Sequence, residues 1–181
     1  MKIGIIGAMQ MEVDALQAAM ESPASQTISG ITFVTGRIGK HDIVAAQCGI
    51  GKVFAAMCAQ TMILEYAPEA IINIGVAGSV TKGLQVLDIA IADKVCQHDM
   101  DTSAIGDPVG LVSGINMIYF ESDARAREIL LSAAESLGLR ATEGRIASGD
   151  KFIASSEDKS RITKAFSADV CEMEGCAIAQ V

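Results

Sequence analysis

The chain has 181 residues, 50% of them apolar and 20% charged, which suits one substantial core, so a single domain over residues 1–181 is expected. Its 22 acidic residues against 14 basic give a net charge of −8 with no basic stripe, which disfavours nucleic acid as a partner. Five cysteines without a CxxC pair point away from a disulfide framework or a structural zinc site and toward a reducing, cytoplasmic setting.

In chain order, Lys2 to Ala8 reads as a buried strand, and its apolar run is too short for a signal peptide or a membrane span. Met9 to Met20 follows as a helix with Met9, Val13, Leu16 and Met20 on one face, ended by Pro23. Ile28 to Ile38 and Asp42 to Cys48 form a predicted hairpin turned at Gly39-Lys40. Gly51 to Tyr66 is apolar nearly all round and is expected as a buried helix stopped by Ala67-Pro68. Ile71 to Gly75 and Val86 to Ala92 are further strands. Ser122 or Asp123 caps a helix to Leu137, closed by Gly138. Thr142 to Ser148 is a strand, Ser155 or Ser156 caps a helix through Phe166, and Ala168 to Cys171 is a short strand. Residues 98–120 form the one long loop, and a helix opens near Met173. Strands and helices alternate throughout, the pattern of an α/β fold.

Several motifs fail on inspection. Gly4-Ile5-Ile6-Gly7-Ala8-Met9 lacks the GxGxxG spacing that admits a pyrophosphate, so no dinucleotide site is expected. Gly49-Ile50-Gly51-Lys52 ends in Val53 where a phosphate-binding loop needs Ser or Thr. His98-Asp99 with Asp101 could ligate a metal, but the only other histidine, His41, lies in an apparent turn, and a solvated or interface loop is the expected reading. What remains is a set of Gly-rich strand ends, at Gly7-Ala8-Met9, Gly49-Ile50-Gly51, Gly75-Val76-Ala77-Gly78 and Ser148-Gly149-Asp150, where ligands of an open α/β sheet bind. Beside them stand isolated carboxylates: Glu12, and Glu172 and Glu174 among small and apolar residues. Residue type alone favours Glu12 as an exposed first-turn charge, whereas two carboxylates in apolar surroundings carry a burial cost that usually has a purpose.

Taken together, Lys2 to Met9 with Glu12, Cys48-Gly49-Ile50-Gly51-Lys52-Val53, Ile72-Asn73-Ile74-Gly75-Val76-Ala77-Gly78, His98-Asp99-Met100-Asp101, Ser148 to Ile153 and Glu172-Met173-Glu174 resemble the nucleoside phosphorylase and nucleosidase superfamily. The nearest likeness is to its 5′-methylthioadenosine/S-adenosylhomocysteine nucleosidases, end to end and in order. The resemblance implies a three-layer α/β/α fold with a central mixed β-sheet, phosphorylase/hydrolase-like and lacking the C-terminal part. It implies hydrolysis of the N-glycosidic bond of an adenine nucleoside with a 5′-thioether, in methionine salvage, with no metal or cofactor, by a cytoplasmic homodimer in which residues 98–120 reach toward the neighbour's thioether pocket.

The resemblance makes Glu12 the general base on water, lifting it from a surface charge to a catalyst. Glu174 would hold the ribose hydroxyls with Met173 against the sugar and Glu172 beside them. Ile153 and Phe152 would position adenine, Ala77 and Gly78 would line its floor, and Ala8, Met9 and Ile50 would face the ribose or the thioether. The transition state is cationic at the sugar, so carboxylates near the hydroxyls and flat apolar walls suit it.

Two departures bear on activity. The family's Ser-Asp motif, whose aspartate protonates the leaving adenine, would fall beyond Val181, so hydrolysis by these 181 residues alone is expected to be impaired. Position 76, often a hydroxyl in relatives, is Val76. Two rival readings stay open: a nucleoside phosphorylase, which Glu12 and the lack of any arginine before Arg37 disfavour, and a domain that binds adenine nucleosides without turning them over.

Overall fold

The computed structural model describes residues 1–181, which fold as two compact units, Met1–Val76 with Val181 and Ala77–Gln180.

The first unit is built on β1 (Lys2–Gly7), α1 (Gln10–Ala18), β2 (Glu21–Ile28), β3 (Ile31–Ile38), β4 (His41–Gln47), α2 (Lys52–Tyr66) and β5 (Ala70–Asn73). Its sheet has the order β2-β3-β4-β1-β5, parallel across β4, β1 and β5 and antiparallel across β2, β3 and β4. Central strands read as near-continuous apolar runs because both faces are covered. Ile5, Met20, Ile43 and Ala45 form a buried cluster there.

The second unit holds β6 (Gly78–Ser79), β7 (Ile89–Gln97), β8 (Tyr119–Glu121), α3 (Ala124–Ser136), β9 (Ala141–Ser148), α4 (Ser156–Phe166), β10 (Val170–Glu172) and α5 (Gly175–Gln180). Its sheet runs β6-β10-β9-β7-β8, with β10, β9 and β7 parallel and both edges antiparallel. Cys96, Ala147, Ile162, Phe166, Ala168 and Cys171 pack its core. Mixed pairing and alternating helices are the α/β pattern expected from the sequence.

Local chemistry explains most boundaries. Asp123 and Ser155 accept the N–H of Ala126 and Asp158 at 2.8 and 3.1 Å, capping α3 and α4. Ala67 in the left-handed region, followed by Pro68, ends α2.

Four expectations are corrected. Pro23 does not stand after a helix but inside β2, an edge strand whose register shifts between Glu21 and Ala24, a place where a missing N–H is tolerated. The expected strand from Ile28 to Ile38 is instead two strands joined at Ser29-Gly30, both at positive φ, the geometry of a tight hairpin turn. The strand expected to start at Val86 starts at Ile89 and runs on to Gln97, because the N–H of Gln85 donates to Asp88 and Leu87 takes φ 77° in the preceding turn. Finally, α2 is not buried all round. Ala55, Cys58, Ala59 and Met62 are buried, while Val53, Phe54, Met57 and Leu64 are exposed. The long loop is itself partly built, with a 3-10 turn at Ser103–Ile105 and Asp107 accepting from the hydroxyls of Thr102 and Ser113.

Candidate active site

In the first unit, the carboxyl ends of the parallel strands β4, β1 and β5 lie side by side. The pairing continues past the strands, with the N–H of Cys48 and Gly49 donating to Gly7 and Ala8 and that of Ile74 donating to Ile6. A helix beginning there places its free N–H groups and positive dipole end over the strand ends. Met9 is the extended residue before α1, and Glu12, one turn in, folds back over it. Its Oε2 accepts the N–H of Ala8 at 2.8 Å and of Met9 at 2.9 Å, and its Oε1 accepts the N–H of Val76 at 3.1 Å. Glu12 is therefore a half-buried carboxylate fixed by three backbone donors rather than a free surface charge. Gly75 makes room for it. A Cβ on Gly75 would lie 2.8 Å from Glu12 Oε1. Ala8 is buried, Met9 half-buried, and Ile50 and Val76 exposed around the same strand ends.

The second unit gathers the other candidates at the carboxyl ends of β9 and β10. Gly78 pairs with Cys171, which puts Ala77 and Gly78 alongside the end of β10. Glu172 is the last residue of β10, Met173 is half-buried after it, and Glu174 is a buried carboxylate at the head of α5, only 7% exposed. The carbonyl of Glu174 accepts the N–H of Ala177 and Ile178, which starts the helix. Beyond β9, Ile153 packs against the core and Phe152 stands 81% exposed.

Two carboxylates in this unit hold the chain to itself. Glu172 Oε1 accepts the hydroxyl of Ser148, and Oε2 accepts the N–H of Glu174 and Gly175 at 2.8 and 2.6 Å. Burial pushes the Glu172 carboxyl above its ordinary value, while the Ser148 hydroxyl and the N–H groups of Gly175, Glu174 and Met173 draw it down. Asp99, a candidate metal ligand by sequence, accepts the N–H of Asp150 at 2.8 Å. Gly149 lets this loop close, since a Cβ there would lie 2.5 Å from the ring of the buried His98. No group of three His, Cys, Asp or Glu side chains is placed to hold a metal ion. The thiols of Cys58, Cys96 and Cys171 are pushed up to about 12, chiefly by burial, which makes them poor nucleophiles at neutral pH.

Sequence reasoning placed Ser148 at a strand end but gave its side chain no role; it is fully buried between β10 and α5. Its partners lie 24 and 28 residues downstream, so no local spacing announces it.

The chain is similar to known proteins along its whole length. The pattern of the Phosphorylase superfamily matches residues 2–181. The 5′-methylthioadenosine/S-adenosylhomocysteine nucleosidase of Shewanella pealeana is 42% identical over 183 residues, covering 100% of this chain and 79% of its own length. The S. pneumoniae nucleosidase of that name, solved with the transition-state inhibitor MT-ImmA, superposes with a TM-score of 0.93 at 38% identity over 99% of this chain and 78% of its own. The Neisseria meningitidis nucleosidase in complex with methylthio-immucillin-A gives 0.95 at 36% identity, over 99% and 78%. End-to-end likeness in sequence and fold places the chain in the phosphorylase superfamily, among its 5′-methylthioadenosine/S-adenosylhomocysteine nucleosidases.

Proposed function

We propose that this chain hydrolyses the N-glycosidic bond of 5′-methylthioadenosine and S-adenosylhomocysteine, releasing adenine and the thioribose. The observation that carries the reading is the Glu12 carboxylate, fixed at the strand ends by three backbone donors. Held there, it takes a proton from the attacking water as the oxygen bonds to the sugar carbon, while the bond to adenine breaks, its electron pair leaves with the base, and the base takes up a proton from solvent. Glu174, buried at the head of α5, holds the ribose hydroxyls and offsets the positive charge that develops on the sugar, with Met173 against the ring. Phe152 and Ile153 position the purine, Ala77 and Gly78 form its floor, and Ala8, Met9 and Ile50 border the ribose and thioether.

A phosphorylase is less well supported. Arg37, the first arginine, is exposed on β3 and paired with Glu21 at 3.4 Å, so no early arginine is free for phosphate. The test is adenine release from 5′-methylthioadenosine, with and without phosphate. The expected outcome is phosphate-independent release that Glu12→Gln lowers about a hundredfold or more, the scale of general acid–base catalysis. Tight binding with no release would favour a binding domain, and phosphate-dependent release a phosphorylase.

The reading extends to assembly as a homodimer and to work in the cytoplasm. The exposed apolar stripe of Val53, Phe54, Met57 and Leu64 on α2 supports the first, together with exposed Ile105 in the long loop. Five free cysteines support the second. No helix is long and apolar enough to cross a membrane. Light scattering should show twice the monomer mass, and Leu64→Glu should reduce it.

A further inference from the structure

Strand β9 ends at Ser148, whose hydroxyl joins two later segments of the chain. The N–H of Cys176, inside α5, donates to Ser148 Oγ at 2.7 Å, and the hydroxyl donates onward to Glu172. A serine has one proton to give, so this series of donors runs in a single direction and ends on a carboxylate. The second oxygen of Glu172 is taken by the N–H groups of Glu174 and Gly175. Both oxygens are thus occupied within the chain, by groups on either side of the Glu174 side chain. The main chain adds one more tie, from the N–H of Gly149 to the carbonyl of Glu172 at 3.2 Å.

Resting on the nucleosidase reading above, we propose that Glu172 and Ser148 are a positioning pair: neither touches the nucleoside, and together they fix the backbone around Glu174 so that its carboxylate meets the ribose hydroxyls. This reassigns Glu172 from the substrate-binding residue that the family resemblance implied. Burying a carboxylate is costly when an apolar residue could fill the volume, and Ser148 is buried completely, so it has no surface to offer a ligand. Glutamine cannot take over the role. Its single oxygen can serve either the hydroxyl or the two N–H groups, and its amide nitrogen then faces donors or leaves the serine proton without an acceptor.

The pair is tested by calorimetry on this chain with two probes, 5′-methylthioadenosine and free adenine. Glu172→Gln and Ser148→Ala should each weaken binding of the nucleoside about tenfold or more, the usual worth of a hydrogen bond to a charged group. Adenine, which does not use the sugar arm, should bind within about threefold of the wild type, and this also reports that the variants are folded. The double variant should be no worse than the weaker single one, because the two side chains act as a unit. If Glu172→Gln weakens the nucleoside while Ser148→Ala does not, Glu172 contacts the sugar itself and the proposal falls. Equal losses for both probes would mean general loosening and would overturn it too, as would variants that bind both probes like the wild type. A wild-type chain with no affinity for 5′-methylthioadenosine would instead sink the nucleosidase reading, and the pair with it.

Discussion

Glu12 and Glu172 solve the same problem in two different ways. Each is a carboxylate at a strand-to-helix joint that spends its oxygens on backbone N–H groups. Glu12 takes two of its three donors from the joint where it sits, three and four residues back. Glu172 takes two donors from its own joint but a third, the Ser148 hydroxyl, from a neighbouring strand. Both reach one donor far away in sequence, but that of Glu12 is another backbone N–H, of Val76, whereas that of Glu172 is a side chain that arrives only once β9 and β10 pair. A carboxylate placed by backbone alone has few side-chain neighbours through which it can be mistuned. One placed through a side chain passes any change in that side chain to the backbone it holds.

The largest effect that sharpens this contrast is expected at Gly75. Alanine there would push its Cβ into Glu12 Oε1, and the side chain would swing away from the N–H of Val76. Adenine release by Gly75→Ala should fall by about ten- to a hundredfold, with 5′-methylthioadenosine binding far less affected, as a misplaced general base requires. An unchanged turnover number would mean that the Val76 contact does not set the carboxylate.

A second comparison uses pH. Because the Glu172 carboxyl is raised, the folded chain keeps its proton at pH values where the unfolded chain has released it. The contribution of that group to stability is complete below the ordinary glutamate value and is lost as pH rises through the raised one. Thermal unfolding of wild type and Glu172→Gln across mildly acidic to neutral pH should therefore show the wild type's advantage over the variant shrinking as pH rises. A difference that stays flat would place Glu172 in an ordinary environment.

The smallest expected effects are at joints whose hydrogen bonds are wholly local, unlike those of Glu12 and Glu172. Asp123→Ala and Ser155→Ala should each cost about 1 kcal/mol, the usual worth of a helix cap, or roughly 2–4 °C in Tm. Their effects should add when combined, since they cap different helices. Strong coupling between them would show that these joints are not as local as their hydrogen bonds.

What was legible in the sequence follows the same division. The stop at Ala67-Pro68 and the turn at Gly39-Lys40 are local and stand where residue type alone predicts them, and the caps at Asp123 and Ser155 are each one of the two neighbours that residue type offered. The family likeness made Glu12 a candidate base, although its charge and position alone favoured the surface. Strand β2 was missed because five of its eight residues are polar and Pro23 stands among them, so neither alternation nor apolar content marks it. The exposed side of α2 was missed because an apolar residue facing solvent has the same composition as one facing a core. The role of Ser148 was missed because it depends on register between strands far apart in sequence.

The same edge strand has a consequence of another kind. β2 is the outermost strand of its sheet, and such a rim is an open template on which a second molecule could add a strand. Here the rim offers no N–H at Pro23, is thrown out of register beside it, and presents residues Glu21–Thr27 to water. An incoming strand finds a broken, polar ladder. The apolar interior between β1 and β4 is thereby shielded from fibril-like growth along this border.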